Sequence, residues 1–591
     1  MDDVLKMAGT VVCRLPGSKI EWGLFKDPVE TFSACKTSEV VPALKQVEAS
    51  LRKGLFVAGF ISYEAAQAFD PANKTREPGK LPLLWFSAYR YFSPFQSPND
   101  LTSRQPSIAL SPETRKNIYL KNVRKIRKYI YDGDTYQVNY TFRVSGKGVD
   151  DPELLFMNLF HSHPVPYAAF INTGKLRIIS NSPELFLESV SGKIRSLPMK
   201  GTASRALTYE EDRQTAKDLS NDVKNRAENI MIVDMVRNDL GRICETGSIK
   251  SAPLFHVDTY PTVHQMVSGV CGRLSAGISI SKILAATFPP ASITGAPKIR
   301  AMEIISELET TPRKVYTGSI GCFMPDGDFC LNVAIRTLIC SGSRTELGIG
   351  SGIVADSEPG KEWTECLVKS GFANFAKPDF KILETILWKR GKGFIYLKEH
   401  LERAWNSQSY FGRKWDEGKT KKAMSRLMSY LSKSRLNNAR VRLLISEDGK
   451  AETEHVSLGK TGWGKELLRL KLSKTKTDAK DVFLYHKTTN RKFYDDEFKE
   501  AHAEGFDEVI FQNEKGEIAE GAISSIFILK GGRWLTPPLS CGLLPGIWRA
   551  KTIRRLHATE TRITVDDMKK AETILIGNSV RGGAEGTINR R

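Results

Sequence analysis

Apolar positions recur along this chain at two periods, and the changes between them mark out its elements. Residues 55–63 (LFVAGFISY) and 83–91 (LLWFSAYRY) are short apolar runs that read as strands. Between them, residues 70–80 (DPANKTREPGK) carry the proline, asparagine and glycine of a break. Residues 111–375 alternate helical and strand patterns with no low-complexity segment. Over 226–242 (RAENIMIVDMVRNDLGR), Ala227, Met231, Met235 and Leu240 predict an apolar helix stripe. A helix-to-strand passage over 371–381, broken by Pro378, predicts a domain boundary. Beyond it, residues 396–412 (YLKEHLERAWNSQSYFG) read as a helix and 572–577 (ETILIG) as a strand. The pattern divides into an N-terminal lobe (1–110), a larger α/β domain (111–375) and a separate α/β unit (380–591). No repeat at a fixed period is visible, which argues against a solenoid.

Composition adds limits. A chain of 591 residues exceeds one hydrophobic core. With 41% hydrophobic and 26% charged residues it has the balance of a soluble globular protein. No apolar run reaches the roughly 20 residues that span a bilayer, and the acidic start lacks a secretion-signal order. Nine cysteines without a CxxC pair or metal-ligand spacing read as reduced thiols in the cytoplasm. The net charge of +20 raises nucleic-acid binding, but the lysines and arginines are spread along the chain. A basic surface that favours anionic substrates is the better reading, with neither nucleic acid nor membrane as partner.

Candidate chemistry lies in two places. Glu228 sits near the start of the 226–242 helix, and Glu362, Glu365 and Lys369 fall at i, i+3 and i+7 in the segment 350–369 (GSGIVADSEPGKEWTECLVK). The same spacing suits a solvent-facing ladder of ion pairs, and spacing leaves both readings open. The string PPASITGAPKIRAMEII puts glycine and small residues before a helix starting near Pro297, where exposed N–H groups suit an anion. The glycines of GSGIVADS, after a strand, would let a ligand approach the backbone.

Residues 110–375 resemble the chorismate-utilising enzymes, which include anthranilate, aminodeoxychorismate, isochorismate and salicylate synthases. The strings GDTYQVN, NSPELFL, LPMKGTASR, RAENIMIVDMVRNDLGR, PTVHQMVSG, PPASITGAPKIRAME, YTGSIGCF, AIRTL and GSGIVADSEPGKEWTE carry the resemblance in family order; GFISYEAAQAFD extends it into the N-terminal lobe. It implies a two-layer α/β sandwich with antiparallel sheets. It further implies Mg2+ held by Glu228 and Glu365 with Glu362 nearby, bridging to chorismate, in keeping with the ion's preference for oxygen ligands. Arg336, Tyr316, Lys369 and the backbone at Gly350, Gly352, Thr294 and Gly295 would hold carboxylates. Gly201 and Thr202 would flank the site, His264 would lie beside the ring, and Glu184 would protonate the departing C4 hydroxyl. Lys200 selects among the members: the resemblance places lysine there in aminodeoxychorismate synthases and alanine in anthranilate synthases. Its amine would attack C2 of chorismate, and a dry or cationic setting is expected to keep it neutral. Gln137 stands where the isochorismate and salicylate enzymes carry a lysine. No glutaminase-like cysteine elbow is found, so a separate glutamine amidotransferase subunit is the expected ammonia source.

Residues 380–591 resemble the fold-type IV pyridoxal-phosphate enzymes, which implies a two-lobed α/β domain. The resemblance rests on VFLYHKTTNR and on the run from AHAEGFDEV to CGLLPGIWR. Lys487 would carry the cofactor covalently and act as base, and Glu520 would face the pyridine nitrogen. Arg403, Ser524, Ser525 and the N–H groups of Ile547 and Trp548 would hold its phosphate. Asn578, Ser579 and Arg581, in GNSVRGG, would line the substrate side. Enzymes of this type usually dimerise, so a homodimer is expected.

Together the two resemblances imply p-aminobenzoate synthesis: amination of chorismate, then elimination of pyruvate. The alternatives are an anthranilate synthase-like module joined to a branched-chain or D-amino-acid aminotransferase, or a basic scaffold with degenerate sites.

Overall fold

The computed structural model describes residues 2–15, 20–96, 108–162, 164–374, 378–459 and 462–588. They gather into two compact units, 1–203 with 217–377 and 204–216 with 378–591. Of the boundary expected over 371–381, residues 375–377 lie outside the described residues.

In the N-terminal unit, strands from both sides of residue 110 enter both large sheets. The first sheet runs from Gly295–Ala296 through Gln137–Lys147, Arg344–Ile353 and Thr337–Ser341 to Val11–Arg14 and Trp22–Phe25. The second includes Lys193–Leu197, Leu185–Val190, Ser319–Phe323, Phe56–Ile61 and Leu84–Tyr89. Neighbours pair antiparallel in both. Val11, Phe25, Ala169 and Ile339 of the first sheet share a buried cluster with Phe60, Trp85, Tyr89 and Ile320 of the second, so the sheets lie face to face. Helices Lys116–Tyr131, Pro152–Ser162, Lys298–Leu308 and Pro359–Ser370 pack over the outer face of the first sheet. Thr37–Arg52, Val223–Gly241 and Ile280–Thr287 pack over that of the second. This double cover is why Leu84–Tyr89 is buried at every position and reads as an apolar run broken by Ser87 alone. The sandwich with antiparallel sheets is as expected.

The C-terminal unit has the two lobes expected. Among the described residues, four strands (Ile382–Lys389, Gly393–Phe394, Asn438–Ile445 and Ala451–Leu458) form one sheet with its own core. Eight form the other, in which Leu467–Thr477 runs parallel to both neighbours. The segment 204–216 belongs to this unit, which the sequence pattern did not suggest. Arg205 stacks on the Tyr410 ring, its guanidinium 4.3 Å from the ring centroid, and donates to the Tyr410 carbonyl at 2.8 Å. It also grips the buried Asp212 with Nε at 2.8 and 2.9 Å from the two carboxylate oxygens. The Tyr410 hydroxyl returns a bond to the Ala206 carbonyl. Removing one partner of a buried ion pair strands the other, at a cost of about 3–5 kcal/mol. Arg205→Ala is therefore expected to lower the unfolding midpoint of the C-terminal unit in a denaturant titration that follows tryptophan fluorescence.

Candidate active sites

The helix Val223–Gly241 starts where the Asp222 side chain accepts the Asn225 N–H at 2.7 Å. Its buried face is Asn229, Ile232, Val233, Val236 and Leu240. That is a correction to the expected stripe: Ala227 is exposed, and Met231 and Met235 only flank the core. Asn229 faces inward because its amide donates to the Lys200 carbonyl at 3.1 Å, a polar anchor that an apolar template misses. Glu228, next to it, then meets Lys200, with Oε2 3.1 Å from Nζ and both side chains less than one-fifth exposed.

Lys200 lies on the strand Met199–Ser204. A Cβ built on Gly352 would stand 2.6 Å from its Nζ and 3.3 Å from the Gln137 amide nitrogen, so the missing side chain makes room for both. Both polar atoms of the Gln137 side chain are buried without a hydrogen-bond partner. Lys200 thus points into the protein, but against a carboxylate rather than into the dry or cationic setting expected. Gly350 and Gly352 lie within the strand Arg344–Ile353 rather than after it. A Cβ on Gly350 would meet Thr141 at 2.6 Å.

Glu184 is buried and accepts the Met199 N–H at 3.3 Å, one residue before Lys200. Burial pushes its carboxyl up to about 7, against opposing hydrogen bonds from Ser292 and Met199. Gly201 has φ +103°, open to glycine, and its carbonyl accepts from Gln265 at 3.1 Å. Thr202 donates to the Gln265 side chain at 3.0 Å. His264 is buried, its Nδ1 3.1 Å from the Thr259 hydroxyl. The Thr294 hydroxyl donates to the Ala291 carbonyl at 3.1 Å, and a Cβ on Gly295 would collide with the Gln137 carbonyl. Tyr316 is buried, which raises its hydroxyl pKa, and its ring fills the space beside Gly348. Burial depresses the Arg336 guanidinium, and no carboxylate pairs with it among the described residues.

Lys369 bridges Glu365, at 2.7 Å, and the Gly350 carbonyl, at 3.1 Å. Glu228 and Glu362 both favour the charged form of Lys224, though less than its bond to Asp356 does. Among the described residues no three acidic, histidine or cysteine side chains converge as a closed metal cage. The donor set fits Mg2+ all the same, since that ion takes one or two carboxylates and completes its shell with water and substrate oxygens.

In the C-terminal unit a cavity of about 670 Å3 is lined by Lys487, Arg403, Glu520, Ser524, Ser525, Ile547, Trp548, Asn578, Ser579 and Arg581. It therefore brings together every residue expected there. Burial lowers Lys487 to about 7, helped by Arg491 and Arg403 and opposed by Glu384 and Glu520. Glu520 rises to about 7 through burial, with the Leu544 N–H, Lys487 and Arg491 opposing. The helix Ile547–Leu556 opens on Gly546 with no side-chain cap, leaving N–H groups at the cavity wall. A Cβ on Gly546 would lie 2.8 Å from the Ser525 hydroxyl, so a bare backbone is needed there. Arg403 donates to the Pro545 carbonyl at 3.2 Å and to both Glu384 oxygens, at 2.9 and 2.7 Å. A neutralising amine, a buried carboxylic acid and an anion cup fit pyridoxal phosphate.

Two expected ligands are engaged elsewhere. Ser524 donates to the buried Glu508 at 2.7 Å. Asn578 donates to the Ile523 carbonyl and accepts the Val580 and Arg581 N–H groups, which makes it a turn residue. Sequence reasoning missed Glu384, His486, Arg440 and Arg442. His486 is held between Ser407, at 3.0 Å, and the Leu207 carbonyl, at 3.2 Å.

Comparison with known proteins agrees with this geometry. Residues 18–374 match the family model for chorismate binding enzymes. The chain belongs to that family. Residues 381–586 match the class IV amino-transferase model, which implies pyridoxal phosphate in the C-terminal unit. Aminodeoxychorismate synthase from Arabidopsis thaliana chloroplasts is 41% identical over 274 residues, covering 46% of this chain and 30% of the relative. Aminodeoxychorismate synthase component 1 from Klebsiella aerogenes is 41% identical over 251 residues, covering 42% and 56%. The chain thus spans about a third to just over half the length of these relatives. Among solved structures, anthranilate synthase component I from Streptococcus pneumoniae is 27% identical with a TM-score of 0.53, covering 60% of this chain and 92% of its own. No helix among the described residues is long and apolar enough to cross a membrane.

Proposed function

We propose that the chain makes p-aminobenzoate from chorismate and ammonia in two reactions, one in each unit. In the first, chorismate and ammonia give 4-amino-4-deoxychorismate and water. In the second, that product gives p-aminobenzoate and pyruvate. The observation that carries the reading is Lys200, an inward amine paired with Glu228 and wedged against Gly352 in a chorismate-binding fold. Its chain continues into a class IV domain with a buried amine of its own, Lys487.

In the first reaction the neutral Lys200 amine adds to C2 of chorismate, both ring double bonds shift and the C4 hydroxyl leaves, taking the Glu184 proton as water. Ammonia then adds at C4 and gives up a proton, both double bonds shift back and the Lys200 amine leaves C2. Arg336, Tyr316, Lys369 and the Thr294–Gly295 and Gly350–Gly352 backbone hold the carboxylates, with Gly201, Thr202 and His264 around the ring. Glu228 and Glu365, with Glu362 nearby, would hold Mg2+, which supplies positive charge to a substrate carboxylate. Ammonia comes from a separate glutamine amidotransferase subunit. Free thiols at all nine cysteines suit a cytoplasmic setting.

In the second reaction pyridoxal phosphate, when bound, withdraws electrons from the carbon bearing the amine. Lys487 removes the C4 proton, and enolpyruvate leaves C3 as the ring becomes aromatic. Glu520 would face the pyridine nitrogen and keep it protonated. Arg403, Ser525 and the N–H groups of Ile547 and Trp548 would hold the phosphate, with Ser524 beside them; Ser579 and Arg581 would face the substrate.

Supplying 4-amino-4-deoxychorismate to the cofactor-loaded protein tests the second step: equal amounts of pyruvate and p-aminobenzoate are expected. A ketone product without pyruvate would make the unit a transaminase. Because Glu184 must be protonated to act, chorismate consumption should fall about tenfold per pH unit above about 7. Glu184→Gln should remove that limb and lower the rate about 10²-fold, read from initial rates across pH.

A further inference from the structure

The strand Ile382–Lys389 carries one acidic residue on a face that is otherwise apolar. Ile382, Ile386 and Trp388 of that face lie in the core beneath the four-stranded sheet, and Glu384 sits between the first two. Alternation puts Leu383 and Thr385 on the other face, against the cavity that holds Lys487. A carboxylate in such a core is destabilising unless charge and hydrogen bonds compensate it. Glu384 is compensated from two residues of one helix. Arg403 donates from Nε to Oε1 at 2.9 Å and from Nη2 to Oε2 at 2.7 Å. The His400 ring, about one turn earlier on the helix, puts Nδ1 2.6 Å from Oε2. Burial raises the Glu384 carboxyl, and Arg403 and His400 together outweigh it and hold the group at about 2.

The trio does more than cancel charge. Of the five N–H groups of a guanidinium, Glu384 takes two from Arg403 and the Pro545 carbonyl takes a third, at 3.2 Å. Two remain, on a side chain that lines the cavity with Ser525, Ile547 and Trp548. His400 lies outside the cavity wall and is wholly buried. Its Nε2 has no hydrogen-bond partner among the described residues, so the ring is held by Glu384 through Nδ1. One residue before Glu384, the Leu383 N–H donates to the Lys487 carbonyl at 2.9 Å. Two consecutive residues of one strand thus grip the backbone of the reactive lysine and the Arg403 guanidinium.

We propose that Glu384 and His400 are positioning residues for the cofactor phosphate: Glu384 fixes the Arg403 guanidinium, and His400 fixes Glu384. This rests on pyridoxal phosphate in the C-terminal unit and on Arg403 as a phosphate donor. It is independent of whether the unit is a lyase or a transaminase. A guanidinium free to turn on its flexible stem loses that freedom when it binds, which lowers affinity. Gripped beforehand by a buried carboxylate, Arg403 meets the phosphate already oriented, with two N–H groups to give. Because Leu383 and Glu384 are adjacent, the strand also sets the spacing between the amine and the phosphate donor.

The test uses the full-length protein after removal of its cofactor. It is titrated with pyridoxal phosphate and with pyridoxal, which lacks the phosphate, and binding is read from the absorbance of the bound ligand. The ratio of the two affinities reports the phosphate contacts alone. Glu384→Gln should lower that ratio about 10- to 100-fold while pyridoxal binds within about twofold of wild type. His400→Leu should lower it about 3- to 10-fold, and His400→Asn, whose amide can donate from nearly the same place, should recover most of the loss. In an Arg403→Ala background Glu384→Gln should change the ratio less than about twofold, since no guanidinium is left to position. Equal weakening of both ligands by Glu384→Gln, or an unchanged ratio, would overturn the proposal. Should Glu384→Gln not fold, the same two outcomes in His400→Leu decide. An unchanged ratio in Arg403→Ala alone would remove Arg403 from the phosphate, and the proposal with it, while leaving the reaction assigned to the unit untouched.

Discussion

Lys487→Ala protein given chorismate, an ammonium salt and both cofactors is expected to accumulate 4-amino-4-deoxychorismate and make almost no p-aminobenzoate. The lysine has two roles, holding the cofactor and moving the C4 proton. Losing a group with both roles should cost at least about 10⁴-fold in the second reaction. Chorismate consumption should stay near the wild-type rate, because the cavity lies wholly in the C-terminal unit. Chromatography of the reaction mixture over time would show the intermediate rising to a plateau. The variant should also lack the yellow absorbance of covalently held cofactor.

Lys200→Ala should give the complementary result. Without the nucleophile the first reaction is expected to fall by on the order of 10⁴-fold. The protein should still convert added 4-amino-4-deoxychorismate at the wild-type rate. The substitution also leaves Glu228 without its partner at 3.1 Å, so thermal unfolding must accompany the rate measurement. Lys200→Arg preserves the charge opposite Glu228 but not the nucleophile. It should therefore stay folded and remain inactive in the first reaction. If Lys200→Ala left ring amination intact, the anthranilate synthase-like reading of the N-terminal unit would gain and the covalent route would fall.

Much of this arrangement was legible in the sequence because the relevant signals are local. The runs at 55–63 and 83–91 became the strands Phe56–Ile61 and Leu84–Tyr89, and the break between them holds no regular helix or strand beyond the short turn ending at Ala68. A helix does start after Pro297, as its preset φ allows. The C-terminal residues expected around a phosphate and a reactive amine line one cavity.

What escaped depends on contacts between distant parts of the chain. The inward turn of Asn229 rests on the Lys200 carbonyl, 29 residues away, and it rotated the predicted stripe. The Leu207–His486 bond joins residues 279 apart, so no window of sequence could assign segment 204–216 to the C-terminal unit. Arg440 and Arg442 sit in an alternating strand that reads as half-buried, and only register reveals which cavity their face lines. Ser524 and Asn578 stand where expected, but hydrogen bonding shows them occupied by Glu508 and by a turn.

The account depends on two amines, Lys200 and Lys487, serving successive reactions on one substrate. Purified protein should therefore be incubated with chorismate, a ¹⁵N-labelled ammonium salt, Mg2+ and pyridoxal phosphate, and the aromatic amine identified by mass and retention. Labelled p-aminobenzoate with an equal amount of pyruvate is the predicted result. Labelled anthranilate, or no aromatic amine from a protein that binds both cofactors, would contradict it.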